Sequence, residues 1–401
     1  MQSLKHRLSN IKSDDLMFSF IVLTFFLLPM GTAPPLISIG IAFLVWLISG
    51  KVFEIKSVIR QSWFFPVIPF LVLPWLGLLY SQNIDLGMDY ALKTKYWIAV
   101  FVTAGISLDE KRLYILLKWF WVGLLMGAFL ALIQFVGLMA QTNRLYIGFG
   151  TSHTLLGMYL LIGILMASFY FKRAESWKNR LVFLFLIIAF IFHIAVLRGR
   201  AGYLFFILVS PIVANNLMDK FSLKIKIMTS ILLVCSLMLS PVVRKVTNDA
   251  FNNLKAEKET ILKDGIAVEF PRFFLVRESF QVFKAYPFIG IGPGSFIEFT
   301  KARGAGWSHP HNNFLYMGTS FGVFGMAACF WLFWKMFTLS WRRRDTALGY
   351  FVFSTCLVLF LGGMLDTQIL NTGTLLFLSL TYGFLNHSPL TLPFQNSKFN
   401  P

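Results

Sequence analysis

LYILLKWFWVGLLMGAFLALIQFVGLMA, residues 113–140, runs through 28 positions with a single charge, Lys118. The hydrocarbon core of a bilayer takes about 20 consecutive apolar helical residues. A surface helix of a soluble protein would show a polar face at the 3.6-residue period, and here Lys118 and Gln134 are the only strongly polar side chains. The stretch therefore reads as a membrane-crossing helix. Working outward, eleven more apolar spans appear, at 16–30, 33–49, 63–80, 91–107, 153–171, 181–197, 201–216, 227–242, 311–339, 346–365 and 369–386. The chain is expected to be an all-α polytopic membrane protein with about twelve transmembrane helices. Apolar residues follow one another without alternation, which speaks against a membrane β-barrel. Composition agrees: 57% of the 401 residues are hydrophobic and 13% charged, where a soluble domain carries about 25% charge. The first span is followed at once by a second and shows no small-x-small cleavage pattern, so it reads as a span and not as a cleavable leader.

A net charge of +18 would suit a nucleic-acid binder, but its distribution does not. The basic residues sit in short clusters between apolar spans, as the positive-inside rule places them. With the N-terminus in the cytoplasm, 21 of 36 basic residues but only 8 of 18 acids fall on the cytoplasmic side. Both termini are then cytoplasmic. The expected organisation is nine spans over 1–242, a periplasmic loop with short helices over 243–310, three spans over 311–386 and a disordered cytoplasmic tail over 387–401. Within the loop, Pro271 can open a helix that runs to about Ala285, with Phe273, Val276, Phe280 and Phe283 as its packing stripe. Cys235, Cys329 and Cys356 have no metal-ligand spacing.

Titratable groups on the outer side at membrane depth are costly unless paired or wet, so they mark candidate chemistry. Arg198-Gly199-Arg200 places two guanidiniums in one turn with no acid. Their planar forks suit a diphosphate; snorkelling to headgroups is the bland alternative. Gly290-Ile-Gly292-Pro-Gly294-Ser295-Phe296 follows a helix carrying Arg272 and Arg277. It permits close backbone approach, but no strand precedes it and no helix is evident after it, so a structural turn outweighs a phosphate cradle. His309-Pro310-His311-Asn312 stands at the mouth of span 10. Leu315, Gly318, Gly322 and Gly325 share a helical-wheel stripe with His311, which would face it into the bundle as a general base. His309 competes for that role. Lys93 and Lys95 open span 4, as anchors or as a source of positive potential. Asp366 reads as a solvated helix end, and Asp85 and Asp89 do not make a metal site.

Together these residues resemble the O-antigen ligase family and the related O-antigen polymerases. The ligase pattern of His, then Asn, Ser or Gln, nine residues, Gly, two residues, then Gly, Thr or Tyr is met by His311-Asn312, Asn313 to Phe321, Gly322, Val323-Phe324 and Gly325. The Gly-Val-Gly-Pro-Gly-x-Phe stretch is matched at 290–296, and the Ser-Arg-Gly turn loosely at Gly199-Arg200-Ala201-Gly202. The arginine opening the periplasmic helix maps to Arg272, while the usual tryptophan four residues later is Val276. The resemblance implies a GT-C-type glycosyltransferase without metal, nucleotide or other cofactor. Its donor would be a glycan on undecaprenyl diphosphate, its acceptor a sugar hydroxyl of lipid A-core in lipopolysaccharide biosynthesis, at the periplasmic face of a bacterial inner membrane. His311 would be the base, and Arg200 and Arg272 would meet the charge on the leaving diphosphate. Arg198, Arg277, Asn312, His309, Lys93 and Lys95 would bind substrate. A polymerase, a protein O-oligosaccharyltransferase and a lipid-linked glycan transporter are the alternatives. Membrane lipid is an expected partner; nucleic acid is not.

Overall fold

The computed structural model describes residues 2–140, 148–149, 152–249, 251–252 and 272–387, with side chains from Ser13 onward. Among these residues all regular structure is helical. In chain order the helices are α1 (Gln2–Leu27), α2 (Ala33–Ile48), α3 (Ile55–Ile59), α4 (Ile68–Gly77), α5 (Ile84–Ala91), α6 (Ile98–Ala104) and α7 (Glu110–Phe135). They continue as α8 (His153–Arg173), α9 (Trp177–Val196), α10 (Arg200–Leu217), α11 (Leu223–Met238) and α12 (Pro241–Asp249). The last five are α13 (Arg272–Ala285), α14 (Phe296–Lys301), α15 (Asn313–Trp341), α16 (Ala347–Leu365) and α17 (Thr372–Gly383).

Helices begin where a side chain can accept the first free N–H groups. Asp109 accepts from Arg112 N at 2.7 Å at the head of α7, and Ser176 from Asn179 N at 3.1 Å at α9. Thr346 does the same for Gly349 at α16, and Asn371 for Gly373 and Thr374 at α17.

Each of the twelve expected spans falls on helix, yet seven described helices are long and apolar enough to cross a bilayer. The count rises to nine if α2 with Lys51–Ile59, bent by 86°, and α11 with α12, bent by 83°, each form one span. The other three stretches are short or broken. In 63–80 the helical run is short, Phe65–Tyr80: it opens as a 3-10 turn at Pro66 and continues through the ten residues of α4, with Pro69 in its first turn and Pro74 inside it. In 91–107 a 3-10 segment carrying Lys93 and Lys95 precedes the seven residues of α6, and 369–386 centres on the twelve of α17.

α8 is apolar all round and is the central helix, with 89% of its span window buried, as expected of a helix without a lipid face. Outer helices instead expose large apolar side chains such as Phe129, Phe185, Ile188 and Trp334, which suit lipid contact. The core continues through an aromatic cluster in which Phe25 meets Phe120, Phe351, Phe377 and Phe384 at centroid distances of 5.7–6.1 Å.

Two expectations within the loop change. α13 ends at Ala285 as expected, but Phe273, Val276 and Phe280 are exposed; Phe274, Leu275, Glu278, Ser279 and Val282 are buried. The buried Glu278 carboxylate pairs with Arg277 and with Arg303, which offsets the cost of its burial. A helix also opens directly after the glycine-rich stretch, namely α14. Pro271 and the tail beyond His387 lie outside the described residues.

Candidate functional site

His311 does not ride on α15. It precedes the helix with φ of 55°, the only described non-glycine residue in the left-handed region, a conformation that costs on the order of 1 kcal/mol. The helix proper starts with Asn312 as cap: its Oδ1 accepts from Phe314 N at 2.8 Å and Leu315 N at 3.0 Å. Asn312 also donates Nδ2 to Met364 O at 2.8 Å and its backbone N–H to Thr367 Oγ1 at 3.1 Å. Both ends of its amide are thus engaged in joining α15 to the end of α16.

The wheel that placed Gly322 and Gly325 in line with His311 is broken as well. Gly322 has φ 64° and ψ −152°, so α15 is two helices meeting at a kink. The kink is a hydrogen-bond exchange. Val323 N leaves the carbonyl of Thr319 and donates to Pro287 O at 2.8 Å; Ile291 N takes the Thr319 carbonyl at 2.9 Å, and Gly292 N the Ser320 carbonyl at 3.0 Å. A Cβ on Gly322 would lie 2.1 Å from Phe288 O, so no side chain fits. The glycine-rich stretch is therefore a structural wedge. Gly290, Gly292 and Gly294 all have positive φ. On its other face Ser81 Oγ donates to Pro293 O at 2.7 Å and Gln82 N donates to Ser295 Oγ at 2.8 Å.

Asp366, expected in solvent, is the residue that sequence reasoning missed. Its Oδ1 lies 3.0 Å from His311 Nδ1, with side-chain exposures of 33% and 37%. Thr367 N donates to Oδ1 at 2.8 Å and Gln368 Nε2 to Oδ2 at 3.0 Å; Thr374 Oγ1 donates in turn to Gln368 Oε1 at 2.8 Å. Burial pushes this carboxyl up, but the His311 hydrogen bond and charge, the Thr367 N–H and His309 outweigh it and hold it below the usual carboxylate range. The one available signal was an acid at the same end of the bundle as a histidine.

His309 packs against His311 with centroids 4.4 Å apart, and Trp307 stands edge-on at 5.7 Å. Burial, aided by His311 and Lys93, pushes the His309 imidazole down to about 4, so it is neutral near pH 7. Lys93, within electrostatic reach of His309, donates to the Leu370 carbonyl.

A second group forms at the head of α10. Arg200 feels Arg272, Asp249 and Arg198, so three of the expected arginines, from two distant stretches, share one neighbourhood. Arg277 instead bonds Glu278 Oε1 at 2.9 Å, and Lys95 is exposed beside the Tyr96 ring. The first turn of α8 stands between the two groups. A Cβ on Gly199 would lie 3.6 Å from His153, and one on Gly373 would lie 2.5 Å from Leu155; Tyr159 OH donates to Gly373 O at 3.1 Å. Both groups therefore occupy the same end of the bundle. Among the described residues no three of His, Cys, Asp and Glu group as metal ligands.

A family model described as O-Antigen ligase matches residues 145–330, which take in both the arginine turn and the His311 motif. No curated protein matches the chain.

Proposed function

We propose, from a chain whose residues 145–330 carry the O-antigen ligase domain, an inverting, metal-independent glycosyltransferase. Its donor is an O-antigen glycan on undecaprenyl diphosphate and its acceptor a sugar hydroxyl of lipid A-core. The observation that carries this reading is an imidazole held by a carboxylate at the end of the bundle where Arg198 and Arg272 lie within electrostatic reach of Arg200.

The chemistry follows from the hydrogen bonds. Asp366 accepts Nδ1–H of His311 and so leaves Nε2 as the basic nitrogen. Nε2 takes the proton of the acceptor hydroxyl as its oxygen attacks the anomeric carbon, and Asp366 balances the imidazolium that forms. The glycosidic bond to the diphosphate breaks on the opposite face, so the anomeric centre inverts. Arg200 and Arg272, with Arg198 beside them, meet the negative charge growing on the leaving diphosphate. Lowering the barrier by about 4 kcal/mol in this way is worth about 10³ in rate. In this reading the charge asymmetry of the sequence orients this end to the periplasm with both termini cytoplasmic, and the family likeness implies a GT-C-type arrangement in a bacterial inner membrane.

The test is purified full-length protein with lipid-linked donor and lipid A-core, without ATP and with EDTA. Glycan should move to the core and His311→Ala should abolish transfer. Transfer that survives this substitution, or that stops only because of the chelator, would refute the mechanism. Glycan that lengthens on the carrier lipid when core is omitted would identify a polymerase instead.

A further inference from the structure

At the opposite end of the bundle from His311, a cleft of about 500 Å³ opens between α8, α10 and the turn from α15 to α16. Its rim carries Lys172, Arg173 and Arg344, and its walls include Phe169, Ile212 and Phe353. The volume lies in the range of small-molecule sites, enough for a headgroup and the first part of a chain.

The walls are apolar for a local reason. Pro211 lies inside α10 and is exposed at the cleft. It cannot donate to the carbonyl of Ile207, which takes the Ser210 hydroxyl at 2.9 Å instead. Phe169 and Phe353 are buried below, and Asn216 closes the floor by donating Nδ2 to Tyr350 OH at 2.8 Å and to Ser168 Oγ at 3.0 Å.

The rim is organised. Arg173 lies 4.4 Å over Phe169 and donates to the Asp345 carbonyl. Arg344 lies 4.3 Å over the Trp341 ring. Stacking fixes the guanidinium planes; Arg344 also donates Nη1 to the Trp341 carbonyl at 3.0 Å, and its remaining N–H groups can meet an anion. Lys172 has Asp219 at 2.8 Å and Arg173 has Glu110 at 3.7 Å, whereas Arg344 has no carboxylate within ion-pair distance among the described residues.

A small soluble anion would not use the apolar walls, and a hydrocarbon would not use the cations. The site sits where helices end, at the depth of lipid headgroups. We infer that the cleft binds a phospholipid with an anionic headgroup, its phosphate at Arg344 and Lys172 and one acyl chain along Phe169, Ile212 and Phe353. Nothing in this cleft depends on the transfer reaction at the other end.

The experiment is native mass spectrometry and thermal unfolding of the full chain in detergent, with phosphatidylglycerol, phosphatidylcholine and inorganic phosphate as separate probes. Phosphatidylglycerol should stay bound and raise Tm; the other two at equal concentration should not. Arg344→Gln should retain at least about fivefold less phosphatidylglycerol. Ile212→Trp, which fills the cleft without changing charge, should retain less as well. Retention by both variants equal to that of the unaltered chain would mean binding to the basic surface at large and would overturn the site. Equal binding of phosphatidylcholine, or an equal Tm rise from phosphate alone, would also overturn it.

Discussion

At the Asp14 end of the bundle, charges are matched. Asp14 meets Lys51 at 3.0 Å and Arg112 at 2.5 Å, accepts Ser107 Oγ at 2.7 Å, and shares Arg112 with Asp15. Lys172 meets Asp219 and Arg173 meets Glu110. At the head of α10 the arrangement differs: Arg272 and Arg198 lie within electrostatic reach of Arg200, with Asp249 in reach as well, and nearby Asp366 is committed to an imidazole. Matched charges tie helices together, because each partner relieves the other's desolvation. Crowded like charges raise the energy of the empty site and are relieved when an anion enters. The Asp14 cluster ties helices together, whereas the arginine group at the head of α10 is where the proposed function needs an anion to enter.

Removing His311 tests the binding end most severely. His311→Ala should lower the transfer rate by about 10³-fold, within the range for a lost general base, with an unchanged melting curve. Asp14→Asn tests the holding end. It leaves Lys51 and Arg112 without a buried partner and should cost about 3 kcal/mol of stability, seen as a lower Tm in detergent. Transfer per folded molecule should stay within about twofold of the unaltered chain. A large activity loss at wild-type Tm would erase the contrast between the ends. Arg200→Gln should cost about 10² in rate and lower Tm by less than Asp14→Asn does. A Tm fall like that of Asp14→Asn would show that Arg200 is structural.

Two smaller effects sharpen the picture. Asp366→Asn should lower kcat by about tenfold or more with little change in the acceptor KM, because the lost carboxylate orients and balances His311 without touching substrate. His309 makes the molecule acid-sensitive. Its imidazole takes a proton near pH 6.5 when unfolded but only near 4 when folded. The unfolded chain therefore binds more protons in that window, and stability falls as pH drops from 6.5 towards 4. His309→Phe should flatten this slope in thermal unfolding measured across the same range.

The helices were legible because a bilayer imposes a length and a composition on each span. The number of full crossings was less so: the proline-rich run Phe65–Tyr80 is a short helix, and the stretch carrying Lys93 opens as a 3-10 helix before α6. The motif around His311 was legible as letters and misread as geometry. A wheel assumes a continuous helix, and Gly322 abandons helical φ and ψ so that the loop at 290–292 can take two of its carbonyls.

Sequence alone settled that the chain is helical and apolar, where its cations cluster, and which family its second half resembles. These follow from composition and local order, which each residue carries with it. Only the tertiary structure decided that Asp366 belongs to His311 across 55 positions, that Glu278 takes Arg303, and that Arg272 comes within electrostatic reach of Arg200. Pairings of that kind depend on distances across the bundle, and those are set by helix packing and kinks, which no local pattern encodes.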